Sequence, residues 1–175
     1  MALLDTHRGG GQQAEKYLIF RLAGEEYGFP VLSVQEIIQW VDVTRVPRMP
    51  AMIQGVINLR GKVVPVLNLR LRFDLPDQDI TARTCIVVLQ VQQEQGQLVC
   101  GVMVDEVTEV LDLPAERIEK PPEFGDQVDT GFMAGIGQIG ARVIMLLNVA
   151  RILDRKEWRA VEQTAIRAEN KGEQS

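Results

Sequence analysis

Apolar residues along this chain gather in short runs, and turn-forming residues break the runs apart. From Lys16 onward the runs are YLIFRLAG, EEYGFPV, QEIIQWVDV, GVINLRG, KVVPVLNL, TCIVVLQVQQ, QLVCGVMVDEV and ARVIMLLNV. β-branched and aromatic residues framed by Gly, Pro or Asn predict strands, and several short strands in series predict barrels or a sandwich. Helical spacing is clear only near the end. After Leu153, Trp158, Val161 and Ala165 fall on one face of DRKEWRAVEQTAIRAEN, among charges. Residues 1–15 read as a flexible leader.

The pattern occurs twice. A shift of 80 positions lays GVINLRGKVVPVLNLRLRF (55–73) on GIGQIGARVIMLLNVARIL (135–153) without a gap. Gly55 meets Gly135, Val63 meets Val143, Leu67 meets Leu147 and Asn68 meets Asn148. Upstream, YLIFRLA (17–23) matches CIVVLQV (85–91), and VQEI (34–37) matches VDEV (104–107). Matched blocks in one order predict two related β subdomains, residues 16–80 and 83–153, each a small barrel. DLPDQDITA is then the connector, and residues 154–175 a C-terminal helix and tail.

Composition narrows the classes. The chain has 175 residues, enough for one domain or two small ones that share a core. Its net charge of −5 argues against a nucleic-acid partner, which needs a basic patch to displace counterions. The longest apolar runs, 63–69 and 143–149, are far too short to cross a bilayer, so no direct membrane insertion is expected. Asp5 stands where a signal peptide needs an apolar core, which predicts a cytoplasmic protein. The start at Met1 and the charged ending at Ser175 favour a free-standing one. Cys85 and Cys100 lie in apolar runs without C-x-x-C spacing and read as buried free thiols. The single histidine, His7, lies in the leader, which removes most hydrolytic triads and most zinc sites. No catalytic residue, metal or cofactor is expected.

Several motifs invite chemistry. GIGQIG (135–140) matches the dinucleotide fingerprint, but that motif works only between a strand and a helix, and the next segment, ARVIMLL, reads as a strand. A nucleotide-binding enzyme is therefore the remote alternative. Asp105, Glu106 and Glu109 alternate with valines and read as the wet face of a strand. PPEF (121–124) reads as a surface loop.

Arg60 and Gly61 interrupt an apolar run at a predicted hairpin turn, where the second copy has Gly140 and Ala141. The turn is common to both copies; the arginine is not. An arginine on a rigid corner near Glu36, with Val34 and Ile38 expected to be exposed, has the chemistry of an interface anchor.

EEYGFPVLSVQEI, TRVPRMPAMIQGVINLRGKVVPVLNLR, GVMVDEVTEVLDL and GIGQIGARVIMLLNVARIL together resemble the CheW family of chemotaxis coupling proteins, from about Tyr17 to Leu153. The resemblance implies a mainly β fold of two five-stranded SH3-like barrels about a pseudo-twofold. It also implies a non-enzymatic adaptor with two partners: the regulatory domain of a CheA-type histidine kinase, and the helical cytoplasmic tip of methyl-accepting chemoreceptors. The receptor helix would lie in the groove between barrels. By the same resemblance Glu36 of VQEI and Arg60 of NLRG are partner-binding residues, with Val34, Ile38 and Gly61 in the same motifs. An adaptor of a pilus-motility or surface-sensing system is the alternative within the class. Two departures stand out: QEQGQ (93–97) is expected to lengthen a loop, and Asn68 stands where many relatives carry Asp.

Overall fold

The computed structural model describes residues 15–93, 96–121 and 131–174. Its strands are β1 (Glu15–Leu22), β2 (Glu25–Pro30), β3 (Val34–Gln39), β4 (Ile53–Leu59), β5 (Lys62–Asn68), β6 (Cys85–Gln93), β7 (Gly96–Val104), β8 (Glu106–Leu113), β9 (Ile118–Glu119), β10 (Met133–Ile139) and β11 (Arg142–Leu147). The helices are a single turn, α1 (Leu69–Arg72), and the long α2 (Arg155–Gln174). The fold is mainly β, as expected. One sheet runs β3-β6-β7-β5-β4 and the other β8-β1-β2-β11-β10-β9. The second thus carries a sixth strand, the two-residue β9.

The most apolar strands are buried on both faces, which is why they read as unbroken hydrophobic runs. Along β1, Tyr17 and Ile19 enter one cluster with Ile144 and Leu146, inside the six-stranded sheet. Leu18, Phe20 and Leu22 point the other way, into the large core between the sheets. β6 repeats the arrangement. Ile86 and Val88 pack with Val64 and Val66 inside the five-stranded sheet, while Val87, Leu89 and Val91 join the shared core.

Sheet membership corrects the predicted division at residues 80–83. β1 and β2 belong to the first half of the sequence, yet they pair with β8 and β11. β6 and β7 belong to the second half, yet they pair with β3 and β5. The halves have exchanged their leading hairpins. An apolar run reports that a strand is covered on two sides; it carries no label for which barrel covers it.

The repeat itself holds down to hydrogen bonds. β5 runs parallel to β7, and β11 runs parallel to β2. A bulge falls between Ile53 and Gly55, and its counterpart between Met133 and Gly135. Asn68 N donates to Met52 O at 2.7 Å, and Asn148 N to Phe132 O at 2.8 Å.

α2 begins with a capping box that satisfies two otherwise open N–H groups. Glu157 N donates to Asp154 Oδ1 (2.7 Å), and Asp154 N to Glu157 Oε1 (2.8 Å). Trp158 and Val161 are buried as predicted, whereas Ala165 is half-buried and Thr164 is fully buried. The Thr164 hydroxyl donates to Ala160 O at 2.8 Å. β1 already begins at Glu15, inside the predicted leader; residues 1–14 lie outside the described residues. QEQGQ extends strands rather than only a loop, since Gln93 pairs with Gly96. Most of PPEF lies outside the described residues.

Candidate functional site

β4 and β5 meet in the two-residue turn Arg60–Gly61. Arg60 has φ +51° and Gly61 φ +87°, so both central residues are left-handed. That is the turn whose twist suits a two-residue hairpin. Asn58 Oδ1 accepts from Gly61 N at 2.9 Å and fastens the corner. For an arginine the left-handed region costs on the order of 1–2 kcal/mol relative to glycine. In the second copy Gly140 takes the first position with φ +59°.

From this corner the guanidinium spans to β3, the opposite edge of the same sheet. Arg60 Nη1 donates to Glu36 Oε1 (3.1 Å) and Oε2 (3.0 Å), and Nη2 also donates to Oε2. The ion pair therefore bridges the seam where the five-stranded sheet curls on itself. The backbone closes the seam below it, with Thr44 N to Val56 O at 2.9 Å and Val56 N to Thr44 O at 2.8 Å. The Arg60 side chain is 67% exposed and that of Glu36 is 23% exposed. An ion pair so wet contributes only about 0.2–1 kcal/mol.

The structure brings Glu36, Arg60 and Gly61 together and places Val34 and Ile38 differently from expectation. Both are half-buried, Val34 against the core between sheets and Ile38 against the interior of the five-stranded barrel. Along β3 half-buried and exposed residues alternate regularly, so Val34, Glu36 and Ile38 share the packed side. The outward apolar residues are Leu32 (97% exposed), Ile37 and Val41. Leu32 lies in the three-residue 3-10 turn Val31–Ser33, and Ile37 on the outward side of β3.

The acidic residues of VDEVTEV are not a bare wet face. Asp105 meets Arg70, Glu106 lies 3.8 Å from Arg83, and Glu109 lies 2.8 Å from Arg142. One signal could have found the first pair: a buried guanidinium inside LNLRLRF needs a counterion. Arg142 also grips Glu26, with Nη2 at 2.6 Å from Oε1 and Nε at 3.1 Å from Oε2. That contact holds the Glu26 carboxyl below its ordinary value. GIGQIG occupies β10 and the turn into β11, so no helix follows it and no dinucleotide cradle forms. Among the described residues no His, Cys, Asp and Glu cluster could hold a metal ion, and no helix is long and apolar enough to cross a membrane.

Two sheets, exchanged hairpins and the NLRG corner coincide with a profile match. The CheW-like domain family matches residues 16–157. This chain belongs to that family. It is similar to the chemotaxis protein CheW of Klebsiella aerogenes, with 38% identity over 156 residues covering 89% of this chain and 92% of the relative. CheW of Bacillus subtilis is 39% identical over 135 residues, covering 77% and 82%. Among solved structures, the scaffolding protein TtCheW from Thermoanaerobacter tengcongensis superimposes with a TM-score of 0.74 at 29% identity, covering 86% of this chain and 95% of that one. The CheW-like match takes in both sheets and ends in the first turn of α2.

Proposed function

We propose that this chain is a non-enzymatic cytoplasmic adaptor of a chemosensory array. It couples the cytoplasmic tip of methyl-accepting chemoreceptors to the regulatory domain of a CheA-type histidine kinase. Arg60, Glu36 and Gly61 form the contact corner, flanked by Val34 and Ile38. The receptor helix lies in the apolar groove between the barrels, an amphipathic helix docked on a preformed surface.

One observation carries this reading. Arg60 occupies a left-handed turn position at φ +51°, where glycine fits without strain and where the second copy uses Gly140. The pair that Arg60 forms at the surface is too weak to offset that cost. Strain of this kind persists where function needs the side chain. Weak, partly polar contacts then gain strength from multivalent assembly.

The test is Arg60→Gly, which keeps the turn and removes only the guanidinium. Binding of a receptor-tip fragment and of the kinase regulatory domain would be measured for wild type and variant, with melting temperature alongside. The expected result is a variant at least as stable as wild type that has lost 10-fold or more in affinity for one partner, on the order of 1.4 kcal/mol. Wild type that binds neither partner while folded would overturn the pathway, and an adaptor for a pilus-type system would be tested next.

A further inference from the structure

A cavity of about 730 Å³ opens between the first turns of α2 and the segment just before it. Four arginines line it: Arg72 from α1, Arg151 from the turn before α2, and Arg155 and Arg159 from α2 itself. Asp154 and Glu162 are the acidic lining residues, so the wall carries an excess of two positive charges in a chain of net charge −5. Asp154 is also committed to capping the helix. Among the described residues, the guanidinium groups of Arg151 and Arg159 have no hydrogen-bond or ion-pair partner; Arg155 is already engaged. Arg72 Nε is buried and makes no hydrogen bond. Its nearest acid, Glu157 Oε1, stands 3.4 Å away and already accepts from Asp154 N.

Like charges gathered in a recess raise its potential and draw in counter-ions. Guanidinium forks match the oxygens of phosphate. A cavity of this volume is far larger than a single phosphate group fills. We propose that this cavity binds a small anion carrying several linked phosphate groups. Arg151 and Arg159 supply the open donors; Arg72 beside them is paired with Glu157. Arg159 and Glu162 lie beyond the residues that the family match covers. The site shares no residue with the Arg60 corner.

The test is titration of the full chain with sodium tripolyphosphate at low ionic strength, read by calorimetry, by Trp158 fluorescence and by melting temperature. We expect saturable binding at one site and a rise in melting temperature. The exposed double variant R151Q/R159Q should keep its fold and lose at least 10-fold in affinity, while R60G binds as wild type. Orthophosphate should bind at least 10-fold more weakly. Absence of saturation overturns the proposal. So does unchanged affinity in R151Q/R159Q, an equal loss in R60G, or orthophosphate binding as tightly as tripolyphosphate.

Discussion

Arg70 and Asp105 form a buried ion pair at the point where the chain leaves one sheet for the other. Arg70 Nε donates to Asp105 Oδ1 at 3.1 Å, and Nη2 meets Oδ2. The remaining guanidinium donors reach Pro76 O and Gln78 Oε1. Asp105 Oδ2 also accepts from Ala23 N at 2.9 Å, in the turn of the exchanged β1–β2 hairpin. One carboxylate thus ties the end of β5 to the tip of a hairpin in the other sheet.

Removing that carboxylate should be costly. Arg70 is 2% exposed, and Asp105→Ala would leave its charge buried without a counterion. The expected loss is about 3–5 kcal/mol, read from urea unfolding. Arg70→Met should cost less, because Asp105 is 23% exposed and can turn to water. Equal losses for the two variants would contradict this asymmetry.

Gly55→Ala should be worse than its size suggests. Gly55 has φ +150°, and an added Cβ would stand 2.2 Å from Thr44 O, part of the backbone bridge that closes the barrel. Strain and overpacking together predict a loss of about 2–4 kcal/mol. A melting temperature equal to wild type would refute the steric argument.

Acid should weaken the six-stranded sheet through Glu26. Its carboxyl is held below the ordinary 4.5 by hydrogen bonding to Arg142. The unfolded chain therefore binds the proton first, so this stabilisation is complete above the ordinary value and is lost as pH falls through the folded one. Arg142 is 37% exposed, which limits the gain to about 1 kcal/mol or less. Melting curves from about pH 6 to 3 should fall less steeply for Glu26→Gln than for wild type.

The two thiols should separate under a disulfide reagent. Cys100 is fully buried, and desolvation pushes its thiol up to about 12. Cys85 is half-buried and raised as well. At mildly alkaline pH we expect slow modification of Cys85 and none of Cys100 until the protein unfolds. Fast reaction of both would mean that the shared core opens readily.

Much of this was legible from residue pattern. Strand runs, the 80-residue repeat, the two-residue turn at Arg60–Gly61 and the helix bearing Trp158 all follow from local rules and are found in the fold. What local rules do not carry is partnership over distance. Tyr17 reads as a strand residue, but nothing near it says that its neighbour is Leu111. The inward side of β3 is not legible either, because each of its two alternating sets, Val34, Glu36, Ile38 and Gln35, Ile37, Gln39, mixes apolar with polar residues. Arg70 and Asp105 lie 35 residues apart, and only the hairpin exchange brings them together.

That exchange bears on how the molecule is made. A chain emerging from its N-terminus exposes β1, apolar on two sides, and β2, with Tyr27 and Phe29 on one, long before Glu106–Leu113 and Arg142–Leu147 have been synthesised. Contacts of such long range form slowly, because loop closure precedes any reward from packing. In the interval a second nascent chain can offer the same strands to the same vacancy. The swap that builds one molecule is therefore the same exchange that, made between two, would entangle them.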